Sequence, residues 1–283
     1  MTVANVTLNN GVTMPQEGFG VFQVNDLKVC EQAVLDALDV GYRLIDTAQA
    51  YGNEAAVGKA IQASSVKRED IFLTTKVWVS NAGYELAQAS IMKSMDNLQT
   101  DYLDLVLIHQ PFGDYYGTYR ALEELYKVGK IRAIGVSNFY PDRYVDLVKN
   151  VSVTPAVNQL ETHVFNQRQN DRIFLEKYGT QIESWGPFAE GKNNLFQNPT
   201  LTKIGQSYNK TAAQVALRFL IQSGVVVIPK STHKERMQQN FDIWDFVLNE
   251  QEMQQLQALD TGKSLFIDHY AGETAEMFND RKL

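Results

Sequence analysis

Leu103-Asp104-Leu105-Val106-Leu107-Ile108-His109 is an apolar run broken once by a carboxylate and closed by an imidazole. A second run, Val225-Val226-Val227-Ile228-Pro229-Lys230, is apolar until it closes on an ammonium. Continuous Val/Ile/Leu runs of this length suit strands of a parallel sheet, which is covered on both faces. Working outward, six more short runs read as strands: residues 43–47, 71–76, 133–137, 156–161, 181–185 and 245–248. Segments of helical spacing lie between them, such as Ile91, Met95 and Leu98, or Leu122, Leu125 and Tyr126. Gly41 and Gly129 each follow a helical pattern and precede a strand, as a left-handed C-terminal cap does. Thr211 with Gln214 three residues on reads as a capping box. Eight strand–helix units in 283 residues predict a closed (β/α)8 TIM barrel, read as one domain over residues 1–283. Ahead of them, VTLNNGVTMPQEGFG reads as a β-hairpin turning at Asn10-Gly11 and closing the bottom of the barrel.

Composition narrows the function. The net charge is −7, and no basic run is longer than two residues. Nucleic acid and anionic membrane, which need a basic surface, are not expected partners. The single cysteine, Cys30, excludes an internal disulfide. It shares a helical stripe with Val34, Ala37 and Leu38, so it reads as a small buried hydrophobe rather than a nucleophile. No basic, apolar leader and no membrane-length apolar run is visible, so the expected compartment is the cytoplasm.

In such a barrel the active site lies where the strands end. Reading only those ends gives Asp46, Lys76, His109, Ser137-Asn138, Gln159-Glu161, Trp185 and Lys230. Taken singly, an aspartate there caps a helix and a histidine is structural. Together they form a set that is costly to desolvate without a purpose. Tyr51 follows Asp46 by five residues. A phenol is a poor acid at neutral pH, but an adjacent ammonium stabilises the phenolate and eases proton donation. Lys76 is placed to do this, with Asp46 holding Lys76 by ion pairing and His109 orienting a carbonyl oxygen. The set delivers a proton but holds no reductant, which a cofactor must bring. No G-x-G-x-x-G follows a strand. Ile228-Pro229-Lys230-Ser231 followed by Arg236 instead offers cations and a hydroxyl suited to a phosphate monoester.

Three separated motifs resemble those of the aldo-keto reductase family. They are Gly41-Tyr42-Arg43-Leu44-Ile45-Asp46-Thr47-Ala48 with Tyr51, Glu54 and Gly58; Gly135-Val136-Ser137-Asn138-Phe139; and Ile228-Pro229-Lys230-Ser231 with Arg236 and Asn240. Glu183-Ser184-Trp185-Gly186-Pro187 and the stretch Leu259-Asp260-Thr261-Gly262-Lys263-Ser264-Leu265-Phe266 resemble the microbial branch with diketogluconate reductases and prostaglandin F synthase-like enzymes. The resemblance implies NADPH-dependent reduction of a small-molecule carbonyl, with Tyr51 as general acid, Lys76 and Asp46 tuning it and His109 orienting the substrate. It implies Ser137, Asn138 and Gln159 on the nicotinamide carboxamide and Trp185 stacked on its ring. It assigns Lys230, Ser231 and Arg236 to the adenosine 2′-phosphate and Asn240 to the adenine. Phe22 and Trp78 are expected as an aromatic substrate wall, with Gln110 where relatives often have tryptophan; the plainer alternative is packing at the rim. A monomer is expected. The rival functions are a cofactor-sensing binding module without catalysis and a Schiff-base lyase built on Lys76.

Overall fold

The structure is a computed structural model that describes residues 3–283. A hairpin of β1 (Asn5–Thr7) and β2 (Thr13–Pro15) precedes eight parallel strands. These are β3 (Phe19–Gly20), β4 (Leu44–Asp46), β5 (Phe72–Val77), β6 (Leu103–Ile108), β7 (Ile131–Ser137), β8 (Val157–Glu161), β9 (Gln181–Trp185) and β10 (Val226–Val227). They pair in sequence order. A parallel bridge between Glu17 and Val227 joins the last strand to the first, with Gly18 N donating to Val227 O at 2.8 Å and Val227 N to Gln16 O at 3.0 Å. The barrel therefore closes.

Two expectations are corrected. The stretch 245–248 is not a strand, and the eighth place belongs to β3, which falls inside the segment expected as the hairpin. Phe246 and Leu248 are buried while Asp245 and Val247 are exposed. The alternation is real, but it comes from one-sided cover over neighbouring helices, with no ladder partner. The hairpin turn is also one residue longer than an Asn-Gly turn. Leu8 N donates to Val12 O and Gly11 N to Leu8 O, both at 2.9 Å, enclosing Asn9, Asn10 and a left-handed Gly11.

Side chains alternate in and out along each strand. Outward residues such as Ile45, Leu73, Val106, Ile134 and Val136 pack against the helix ring, including buried Cys30. The inward set is apolar at the bottom. There Leu44, Phe72, Leu105, Ala133, Val157 and Val226 meet Leu8 and Met14 from the hairpin, which plugs that end. Higher up, the same inward face turns polar. The helix boundaries agree with the sequence signals: Gly41 caps helix Leu27–Val40 with its N–H on Ala37 O, and Thr211 and Gln214 form both bonds of a capping box.

Gly58, in helix Glu54–Ala63, faces the backbone of helix Tyr84–Leu98. An added Cβ would lie 2.5 Å from Asn97 O and 2.7 Å from the Leu98 carbonyl carbon. Alanine gains roughly 1 kcal/mol of helix propensity over glycine, but backbone cannot yield as a side chain can. Gly58→Ala is therefore expected to lower unfolding free energy by about 1–3 kcal/mol. An unchanged or raised urea midpoint would show that the two helices slide apart at no cost.

Candidate active site

Three inward positions at the upper ends of β4 to β6, Asp46, Lys76 and His109, converge with Tyr51 on the loop after β4. Lys76 is fully buried, its Nζ 2.6 Å from Asp46 Oδ1, 3.0 Å from Thr47 O and 3.4 Å from Tyr51 Oη. The Tyr51 and His109 rings meet edge-on at 5.6 Å, and Phe22 covers Tyr51 at 5.0 Å. The loop is pinned from both sides. Thr47 Oγ1 donates to Asn53 Oδ1 at 2.9 Å, and Asn53 Nδ2 donates to Val21 O at 3.0 Å and Val24 O at 3.3 Å. Gly52, with φ of +66°, makes the turn that brings the chain from Tyr51 to Asn53. Glu54 accepts from Thr75 Oγ1 at 2.7 Å and so ties the next helix to β5.

Burial and charge decide the protonation states. Burial raises the Tyr51 pKa above that of an ordinary phenol; Lys76 opposes the rise without cancelling it. The expectation that Lys76 lowers the value thus holds for the direction of its own effect, while burial sets the net sign. Burial pushes Lys76 down, but Asp46, Tyr51 and Glu183 reverse this and leave its pKa raised, so it stays an ammonium. Burial, then Lys76 and Arg281, hold His109 well below the usual imidazole value. His109 is neutral at neutral pH, with a buried Nδ1 that has no partner among the described residues.

Gln159 links this cluster to a carboxyl that the strand-end reading passed over. Its Nε2 lies 3.0 Å from both Asp46 Oδ2 and Glu183 Oε2. Glu183 is fully buried, and its pKa is pushed up to about 8 by burial first and by Asp46 second. Its signal was available: Glu183 stands two residues before Trp185 and shares its face of β9.

Ser137, Asn138 and Gln159 lie side by side and bond both to one another and to their neighbours. Ser137 Oγ donates to Gln159 O at 2.9 Å, and Asn138 Nδ2 donates to His109 O and Ser137 Oγ, each at 3.1 Å. Trp185 Nε1 donates to Asn138 Oδ1 at 2.9 Å, which fixes the indole beside them; Phe266 packs against it at 5.3 Å. Lys230, Ser231, Arg236 and Asn240 line a separate cleft of about 530 Å³, faced by Phe188 and Phe196. Trp78 is buried, edge-on to His109 at 5.1 Å. Gln110 is also buried and spends its Oε1 on His269 Nε2 at 3.0 Å. Phe22 is the exposed member of the expected wall, at 48%.

The tail also packs against the site; its irregular sequence, roughly residues 262–283, reads as a loop over an active-site mouth. Glu161 Oε1 accepts from Leu265 N at 2.8 Å and its Oε2 from Ser264 Oγ at 2.5 Å. Burial opposes ionisation of Glu161, but bonds from His163, Ser264 and Leu265 and the Arg168 charge outweigh it, bringing its pKa to about 2. Among the described residues there is no cluster of His, Cys, Asp and Glu able to hold a metal, and no helix long and apolar enough to cross a membrane.

Glu183 sets a pH dependence. Its ordinary pKa is 4.5 and its folded value about 8, so the native state holds a proton that the unfolded chain releases between them. That contribution to stability is complete below the lower value and lost as pH rises through the higher. Unfolding free energy of the wild type is expected to fall relative to Glu183→Gln between about pH 5 and about pH 9. Parallel urea-unfolding profiles for the two proteins would remove Glu183 from this role.

Comparison with known proteins agrees with this geometry. The family model described as "Aldo/keto reductase family" matches residues 18–261. The glyoxal reductase of Bacillus subtilis is 47% identical over 255 residues, covering 90% of this chain and 92% of its own. An aldo-keto reductase from a Medee basin deep-sea metagenome library superimposes with a TM-score of 0.91 at 43% identity, covering 93% of this chain and 98% of its own. A Bombyx mori aldo-keto reductase solved in complex with NADP gives a TM-score of 0.88 at 31% identity, covering 95% of this chain and 96% of its own. With a family match across most of the barrel and relatives alike over nearly their whole length, this chain belongs to the aldo/keto reductase family.

Proposed function

We propose that this protein reduces aldehydes and ketones to alcohols with NADPH, Tyr51 giving the proton to the carbonyl oxygen. The observation that carries the reading is the Lys76 ammonium held between Asp46 Oδ1 at 2.6 Å and Tyr51 Oη at 3.4 Å, beside a neutral His109. A phenol that keeps its proton in the resting site is in the state a donor needs. As the proton leaves, the ammonium beside it stabilises the phenolate. Neutral His109 orients the substrate oxygen by a hydrogen bond, and Phe22 helps to close the mouth around it.

The residues present fit NADPH. Lys230 and Arg236 converge on one cleft and, among the described residues, neither has a carboxylate within 4.0 Å, at the start of helix Lys234–Phe241. Two uncompensated cations with a serine hydroxyl suit a phosphate monoester. Lys230, Ser231 and Arg236 would hold the 2′-phosphate, and Asn240 the adenine against the aromatic walls. Ser137, Asn138 and Gln159 would exchange some of their mutual hydrogen bonds for the carboxamide, and Trp185 would stack on the nicotinamide. NADPH, when bound, supplies the hydride that the carbonyl carbon accepts. The Bombyx mori relative solved with NADP supports the choice of cofactor, and the net charge of −7 supports a reaction without a nucleic-acid partner.

Tyr51→Phe is expected to lower carbonyl-dependent NADPH oxidation by roughly 10²–10⁴-fold, the usual worth of a general acid, while NADPH still quenches protein fluorescence. Near-normal turnover would remove Tyr51 as the acid. Arg236→Ala should raise KM for NADPH by about tenfold or more, the scale of a lost hydrogen bond to a charged group, with little change for NADH. Equal effects on both would detach Arg236 from the phosphate.

A further inference from the structure

Glu183 takes no part in the proton transfer, yet it stands in one row of the barrel with residues assigned to the nicotinamide. Ser137 is the ladder partner of Gln159, and Gln159 that of Glu183, across β7, β8 and β9. Trp185 lies two residues further up β9 on the same face. Gln159 Nε2 is 3.0 Å from both Glu183 Oε2 and Asp46 Oδ2, so its two N–H donors are spent on two carboxyls. The buried Glu183 Oε1 has no hydrogen-bond partner among the described residues.

The groups that face Glu183 leave its charge unmatched. Asp46 approaches from β4 and Lys76 from β5, with the Tyr51 phenol beyond them and the neutral Gln159 amide on β8. Its ladder partner on β10 is apolar Val226. Two carboxyls thus share one amide and one ammonium, and Asp46 Oδ1 already holds that ammonium at 2.6 Å. A second buried carboxylate needs a second cation. Without one Glu183 keeps its proton, in line with its pKa of about 8.

We propose that Glu183 senses the charge of the nicotinamide: it gives up its proton to solvent when the oxidised ring binds and keeps it under the reduced ring. This rests on the carbonyl-reductase reading above, which places the carboxamide on Ser137, Asn138 and Gln159. The oxidised ring is a cation and the reduced ring is neutral, so only NADP+ brings the charge that Glu183 lacks. A cation beside a carboxyl lowers its pKa by about 1–3 units. Below pH 8 or so, NADP+ must displace the proton to gain that attraction, and NADPH displaces nothing. Near neutral pH the held proton therefore weakens the oxidised product relative to the reduced cofactor, which favours its release after reduction.

The test needs no turnover. With the full chain, the dissociation constant of NADP+ divided by that of NADPH is expected to fall about tenfold from about pH 6.5 to about pH 9. The 2′-phosphate titrates in both forms and cancels in the ratio. Glu183→Gln is neutral at every pH and still accepts from Gln159, so the ratio should stay level in it; a thermal melt confirms that it folds. A level ratio in the wild type, or the same fall in the variant, would overturn the proposal and leave Glu183 as a support for Gln159. The wild type alone gives a second reading. Calorimetry near pH 7 in two buffers of different ionisation enthalpy should show more protons released by NADP+ than by NADPH, and equal release counts against Glu183. If the wild type binds neither dinucleotide, the reductase reading fails and takes this inference with it, whereas binding of both with a level ratio strikes Glu183 only.

Discussion

The contact between Lys76 and Asp46 is the constraint around which the top of the barrel is arranged. Two charges taken out of water cost several kcal/mol each, and their attraction offsets this only when the remaining donors and lone pairs are satisfied. Here they are. Lys76 Nζ meets Asp46 Oδ1, Thr47 O and Tyr51 Oη, while Asp46 Oδ2 accepts from Gln159. Tyr51 is thus one of the groups that completes the coordination of a buried ammonium, which explains how a loop tyrosine is fixed as firmly as a strand residue. The same accounting explains Glu183. One cation supports one buried carboxylate, and the second acid keeps its proton, its pKa near 8.

The polar layer is affordable because the layers beneath it are apolar and plugged. Leu8 and Met14 close the lower end, and the inward residues above them leave no route for water from below. From above, closure comes from the chain's last segment. The Glu161 carboxylate, with its pKa near 2, grips Ser264 and Leu265, and His269 lies between Gln110 and the Tyr140 hydroxyl. A tail held at these points is a wall of the site.

How much of this the sequence disclosed follows from which residues sit on periodic elements. Asp46, Lys76 and His109 were legible because each stands at the end of a buried strand, and Gln159 because it lies within one, where an ionisable or amide side chain contradicts its surroundings. The cleft of Lys230, Ser231 and Arg236 was legible because these residues share one strand-to-helix junction. β3 was not, since two residues, Phe19 and Gly20, carry no period of their own. Residues 245–248 misled for the opposite reason: alternation records one-sided burial, whether or not a neighbouring strand exists. Gln110 was placed at the pocket by its position after His109, yet its side chain engages His269, a partner 159 residues away that no local pattern reveals.

In the proposed reaction, the resting charges explain how a phenol with a raised pKa would still serve as an acid. The buried cluster holds a neutral imidazole, a neutral phenol and one ammonium paired with one carboxylate, so its own charges nearly cancel before substrate arrives. Nothing in that state draws the proton from Tyr51, which burial keeps in place. Negative charge grows on the substrate oxygen only as the carbonyl is reduced, and the proton then moves toward it. The phenolate left behind lies 3.4 Å from an ammonium that was already in place. In the proposed reaction, the burial that raises the resting pKa also strengthens the attraction Lys76 exerts once the proton has gone, because both effects come from the same exclusion of water.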